Sequence, residues 1–201
     1  MSSSMGNCFF IGLLASALLL SCESAGKRSE KAYFDFDSLI NAQVRYLAAH
    51  APKLTKQAVV DGRTEELETT PADSAAWSKE LDIFRQLDLI NKPINRDSYE
   101  IKEGLSDTKS NLLVSEYKAT EDLALAYLKI YYQDTPGNVR RIEGTYREKN
   151  ALYTGTRFLT MELTTIQTHV VLTSYSISGG QKMILGDSVQ FKILGTITYT
   201  D

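Results

Sequence analysis

Cysteine is almost absent from this chain: of 201 residues only Cys8 and Cys22 are cysteine, and both lie near the N-terminus. The body after them has no thiol for a disulfide, a thiolate nucleophile or a metal site, so its stability rests on packing. Histidine is nearly as scarce. His50 and His169 are the only imidazoles, and neither stands in a metal-ligand spacing or next to a sequence neighbour suited to act as a nucleophile. No metal site and no Ser/His/Asp mechanism is expected. A cationic excess is also missing: Lys+Arg 22 against Asp+Glu 25 gives a formal net charge of −3, which leaves no electrostatic footprint for nucleic acid. The one Gly-Gly pair, Gly179-Gly180, sits among β-like residues with no helix after it. That context excludes a phosphate-cradling loop, and no cofactor is expected.

The longest apolar run, Phe9 to Leu20 (FFIGLLASALLL), has the length of a signal-peptide core and is too short to cross about 30 Å of hydrocarbon as a helix. It ends in Leu19-Leu20-Ser21-Cys22, which resembles the lipobox of bacterial lipoproteins: apolar residues, a small residue, then a cysteine whose sulfur takes up lipid before cleavage. The resemblance implies a lipoprotein signal peptide over 1–21 and lipidation at Cys22, with palmitate-type acyl chains anchoring the protein to a membrane. The stretch before the core, Met1 to Cys8, departs from the usual pattern in carrying no Lys or Arg. The alternative is a buried hydrophobic helix of the folded domain, which the end-of-chain position disfavours. The stretch Glu23 to Lys31 is small and charged, without periodicity, and completes a flexible tether over 22–31.

The remaining residues, 32–201, fit a single domain, with the 43% hydrophobic and 23% charged composition of an ordinary globular protein. Asp35 is placed to cap a helix in which Phe36, Ile40, Val44, Leu47 and Ala51 share one stripe, stopped at Pro52. Leu54–Val60 and Arg63–Thr69 flank Asp61-Gly62, the signature of a tight hairpin turn. Asp73 caps a second expected helix, with Trp77, Leu81, Phe84 and Leu87 as its apolar stripe, ending near Asn91-Lys92-Pro93. From Ser98 onward, runs rich in β-branched and aromatic residues alternate with turn signals. Strands are expected at 99–105, 112–119, 123–133, 139–149, 156–163, 173–178, 182–185 and 189–199. Gly179-Gly180 reads as a turn or bulge between two of them, and His169 falls in a connection over 165–172. The expected fold is α+β: two N-terminal helices and a small hairpin packed on a curved antiparallel meander that approaches a half-barrel.

Few constellations suggest chemistry. Glu116, Glu121 and Asp122 are close enough in sequence to be weighed as the carboxylate pair of a glycosidase, but in a chain with 25 acidic residues chance clustering at a strand end and its turn explains them. Arg140, Arg141, Arg147 and Lys149 make one strand basic, offset by Glu143 and Glu148. Tyrosine is the remaining signal. Tyr127, Tyr131 and Tyr146 are candidate ligand-binding residues on the central strands, with Tyr132 and Tyr153 nearby, because tyrosine joins an apolar body to a polar tip. The simpler reading is that tyrosines are good strand residues at the edge of a core.

The lipobox, the tether, the two helices and a β-rich body containing Tyr175-Ser176-Ile177-Ser178-Gly179-Gly180-Gln181-Lys182 together resemble envelope lipoproteins of Bacteroidota. The resemblance implies an outer-membrane location in the cell envelope and supplies no catalytic residue. The expected function is non-catalytic binding of an apolar, glycan or protein ligand on the sheet's concave side or edge. The alternative is an enzyme acting on glycan or lipid through carboxylates.

Overall fold

The computed structural model describes residues 31–184 and 186–199. The leader, Cys8, Cys22 and residues 23–30 of the tether lie outside them. No helix among the described residues is long and apolar enough to cross a membrane.

The fold is α+β, mostly one nine-stranded antiparallel sheet with two helices on one face. Helix α1 (Phe36–His50) starts where Asp35 accepts a hydrogen bond from the Ser38 backbone N–H at 3.0 Å. It ends where Ala51 turns left-handed, φ 43, ahead of Pro52, whose ring cannot continue a helix. Phe36, Ile40, Val44 and Leu47 are buried, as their spacing requires. Strands β1 (Lys53–Val60) and β2 (Arg63–Thr69) form the expected hairpin. Asp61 and Gly62 both have positive φ, 47 and 81, as a type I′ turn demands.

Helix α2 (Ser74–Leu81) is shorter than expected and continues as a 3₁₀ helix, Asp82–Asn91. The spacing of apolar residues accounts for the change. Trp77 and Leu81 are four apart, whereas Leu81, Phe84, Leu87 and Ile90 follow at intervals of three, the period at which 3₁₀ side chains eclipse on one face. All five are fully buried.

The remaining strands are β3 (Tyr99–Ser106), β4 (Leu113–Ala119), β5 (Leu125–Tyr132), β6 (Val139–Lys149), β7 (Tyr153–Ile166), β8 (His169–Met183) and β9 (Ser188–Thr198). Their order in the sheet is β2-β1-β9-β8-β7-β6-β5-β4-β3. Three expectations are corrected. The hairpin does not pack on the meander but extends it, because β1 pairs with β9 from Lys53↔Thr198 to Val60↔Phe191 and satisfies an edge that would otherwise be open. The two strands expected at 173–178 and 182–185 are one, and Gly179-Gly180 lies inside it rather than in a turn. A Cβ on Gly179 would stand 2.1 Å from the Thr156 carbonyl oxygen, so glycine here permits close strand approach. His169 begins β8 instead of lying in a connection.

The core lies between the helices and one sheet face, where Leu54, Leu128, Ile142, Leu159, Met161, Tyr175 and Ile197 meet the helical stripes. Gly144 accommodates Leu87, whose Cδ2 would be 2.4 Å from an added Cβ. Tyr175 lies over its cross-strand partner Gly195, and its hydroxyl donates to Glu80, which also pairs with Lys56. These contacts tie α2 to β1 and β8.

The chain enters the domain through a charged clasp. Lys31 Nζ lies 2.9 Å from Asp35, 2.8 Å from Asp37 and 2.7 Å from Asp88, so the cation among these three carboxylates is the chain's own ammonium. Burial opposes ionisation of Asp35, but the Ser38 and Lys31 hydrogen bonds outweigh it and hold its pKa at about 2. Because this pKa is depressed, the stability it contributes is present above the ordinary carboxylate value and is lost as pH falls toward 2. Replacing Lys31 with Met is expected to cost roughly 1 kcal/mol near neutral pH, since the groups are partly exposed, and almost nothing at the acid end of that window. Urea unfolding at a series of pH values checks this, and a cost independent of pH would contradict it.

Candidate ligand-binding groove on the open face of the sheet

Side chains alternate along each strand, so the face away from the helices is fixed by register. Core residues Tyr117, Leu128, Gly144 and Leu159 are cross-strand neighbours on one face. The adjoining positions Glu100, Lys118, Tyr127, Thr145 and Phe158 form a continuous rung on the other, running across β3, β4, β5, β6 and β7. Four strand spacings of roughly 4.8 Å make this rung about 19 Å long. It forms the floor of a groove of about 660 Å³, further lined by Lys102, Glu116, Glu121 and Arg147.

The groove grades from apolar to charged. At the β7 end Phe158 is 51% exposed, an unusual position for a phenyl ring on a central strand, and half-buried Tyr127 stands two strands away. At the β3 and β4 end, three carboxylates (Glu100, Glu116, Glu121) face Lys102 and Lys118, and Arg147 on β6 supplies a third cation to the lining. The charges balance, so the site is not built for a polyanion or a polycation. Glu116 and Lys129 form a 2.7 Å ion pair. This bond lowers the Glu116 pKa against the opposing effect of burial. Burial raises the Tyr127 pKa, so its hydroxyl stays protonated and able to donate. Glu121 accepts a hydrogen bond from the Ser98 hydroxyl at 2.6 Å.

Of the three tyrosines expected to bind ligand, only Tyr127 lines this groove. Tyr131 shares its face four residues along β5 but is buried, donating to Glu143 at 2.9 Å beneath the Arg141 guanidinium. Burial first, then that bond to Glu143, raises its pKa to about 12. Tyr146 is on the opposite face, with the Arg157 guanidinium 5.5 Å from its ring centroid. The three do not form one row. Glu116 and Glu121 both line the groove, whereas Asp122 is not among its lining residues.

Phe158 was the residue missed by sequence reading. Its signal is phase: Leu159, Met161 and Leu163 alternate as core residues, and Phe158 falls between them as an aromatic ring on the solvent side.

The two histidines, far apart in sequence, meet at one end of the molecule against Tyr46. His50 stacks on its ring at 4.0 Å and His169 lies at 5.5 Å, both exposed. The His50 Nδ1 lies 2.8 Å from the Tyr46 carbonyl oxygen in the last turn of α1. No protein-family model, curated protein or solved structure matches this chain.

Proposed function

We propose that this chain is an envelope lipoprotein, held to the outer membrane through lipid on Cys22, whose domain binds a glycan bearing short charged substituents, such as a peptidoglycan fragment. The observation that carries the ligand reading is the rung Glu100, Lys118, Tyr127, Thr145 and Phe158, apolar at one end and charge-balanced at the other. Tyr127 and Phe158 are two strand spacings apart, about 10 Å, the scale of a disaccharide lying across the strands. Sugar rings present apolar faces that stack on aromatic side chains, and their hydroxyls suit Thr145 and the Tyr127 hydroxyl. A peptide substituent, with both carboxylates and an amine, suits the mixed Lys and Glu end. In this reading the sheet curves as a half-barrel around the two helices, supported by the bulge at Glu103-Gly104 in β3 and by the register shifts in β5 and at Glu162/Leu163.

The test is titration calorimetry of the chain with soluble muropeptides. Phe158→Ala and Tyr127→Ala are each expected to weaken binding by roughly ten- to a hundredfold, the loss of about 1.4 to 3 kcal/mol of ring contact. Tyr146→Ala on the other face should leave affinity unchanged. Equal effects of all three substitutions would contradict the groove.

The second reading, an enzyme using Glu116 and Glu121, is favoured by their both lining one groove. Against it stands the ion pair of Glu116 with Lys129, which lowers the pKa of a group that a general acid would need raised. Bond cleavage in muropeptides that is lost in Glu116→Gln would decide for the enzyme.

A further inference from the structure

We propose that the turn Lys92–Arg96 is a membrane-contacting element, with Ile94 entering the interface of an anionic lipid surface and fixing the orientation of the anchored domain. The inference rests on the lipoprotein reading above. Ile94 is 85% exposed, the most exposed large apolar side chain among the described residues. It is held out by rigid backbone. Pro93 opens a 3₁₀ turn, Pro93–Asn95, in which the Asn95 N–H donates to the Lys92 carbonyl at 2.9 Å. The Asn95 side-chain amide donates to the Leu89 carbonyl at 2.9 Å, bracing the turn from the other side.

Lys92 and Arg96 flank Ile94 at two residues on either side, and both are exposed. An apolar tip between two cations matches a boundary where hydrocarbon meets anionic headgroups, with the long cationic side chains extending to the phosphates. Asp97, next to Arg96 in sequence, is also exposed.

The same turn adjoins the point where the chain enters the domain. The Tyr33 hydroxyl donates to the Arg96 carbonyl, and the Tyr33 N–H donates to Asn91 Oδ1 at 3.0 Å. Asn91 Nδ2 donates to the Phe34 carbonyl at 2.9 Å, and Lys31 pairs with Asp88. Residues 31–34 are thus pinned along 88–96. Nine residue steps separate Cys22 from Lys31, and a chain extends by at most about 3.6 Å per residue. A lipid on Cys22 therefore keeps this edge of the domain within about 32 Å of the bilayer. The other exposed apolar tip, Leu152 beside Ile184, belongs to the β6–β7 and β8–β9 connections and has no link to the chain entrance.

The test uses the full chain, made in a bacterial host in a Cys8→Ser background so that a lipid-blocked Cys22 leaves one introduced thiol. Ile94→Cys, Leu152→Cys and Leu67→Cys on edge strand β2 each carry an environment-sensitive fluorophore, in vesicles of phosphatidylcholine and phosphatidylglycerol at 7:3. Flotation with the vesicles reports the anchor. Nitroxide-bearing lipid is expected to quench the probe at 94 at least threefold more than that at 67. Reversing Lys92 and Arg96 to Glu should remove that difference. A floating protein whose probe at 94 is as water-exposed as that at 67, or less quenched than that at 152, overturns the docking and leaves the lipoprotein reading intact. A chain that fails to float overturns both.

Discussion

Replacing Cys22 with Ser should abolish lipid incorporation altogether. In the lipoprotein reading, transfer of the diacylglyceryl group needs a nucleophilic sulfur, and a serine hydroxyl, with a far higher pKa than a thiol, does not substitute for it. The unlipidated precursor should keep its leader and run as the larger species, because the peptidase acts after lipid is attached. Metabolic labelling with a palmitate analogue reads the result directly. Incorporation should be lost in Cys22→Ser and retained in Cys8→Ser, which removes the only other thiol in the chain. In that reading, two or more acyl chains at about 0.8 kcal/mol per buried methylene make the wild-type attachment lasting. Undiminished labelling of the Cys22 variant would overturn the anchor.

Gln43→Leu is expected to be the most damaging single substitution of a polar residue in the domain. Gln43 is buried in α1, and its amide behaves like a short strand. Its Nε2 donates to the Val170 carbonyl at 2.9 Å, and its Oε1 accepts from the Leu172 N–H at 2.8 Å. Strand β9 pairs with β8 only from Ser174 to Lys182, so Val170 and Leu172 have no neighbouring strand on that side. Leucine has similar volume and can bond neither group. Each orphaned backbone group costs roughly 1 to 3 kcal/mol, so a loss of about 2 to 5 kcal/mol is expected from a domain whose total stability is on the order of 5 to 15. Gln43→Glu refines the test. A carboxylate can accept from Leu172 but repels the Val170 carbonyl, and burial raises its pKa above the unfolded value. Protonation restores a donor, so this variant should recover stability as pH falls, in contrast to the leucine variant. Urea midpoints at pH 7 and pH 5 measure both, and a leucine variant within 0.5 kcal/mol of wild type, on the order of an ordinary surface change, would show that the amide bridge contributes nothing.

The local features of this fold were legible in the sequence, and the long-range ones were not. Asp35 as a cap, the stripe from Phe36 to Leu47 and the Asp61-Gly62 turn each depend on neighbours within a few residues. The bounds of β6 were readable for the same reason. Gly179-Gly180 misled because glycine ordinarily punctuates a chain, while its reason here is the Thr156 carbonyl more than twenty residues away. The pairing of β1 with β9 joins residues 53–60 to 191–198 and leaves no local trace. The three-residue spacing from Leu81 to Ile90 was visible but close enough to a helical stripe to be absorbed into one.

The candidate site divides along the same line. Tyr127 and Tyr131 share a face by simple alternation on one strand. Placing Tyr146 opposite them requires the register between β5 and β6, which shifts between Leu125 and Tyr127. The presence of Glu116 and Phe158 in one groove depends on three successive pairings. Phase alone flags Phe158 as an outward ring, but only the sheet shows what it faces.

The central claim, that the open face of the sheet is the binding surface, is tested most directly by mapping amide chemical shifts as soluble muropeptides are added to the isotope-labelled protein. The expected result is a cluster of perturbations over Glu100, Lys118, Tyr127, Thr145 and Phe158, with Gln43, Trp77 and Leu87 between helices and sheet unmoved. Perturbations confined to the helix side, or none at millimolar ligand, would contradict it.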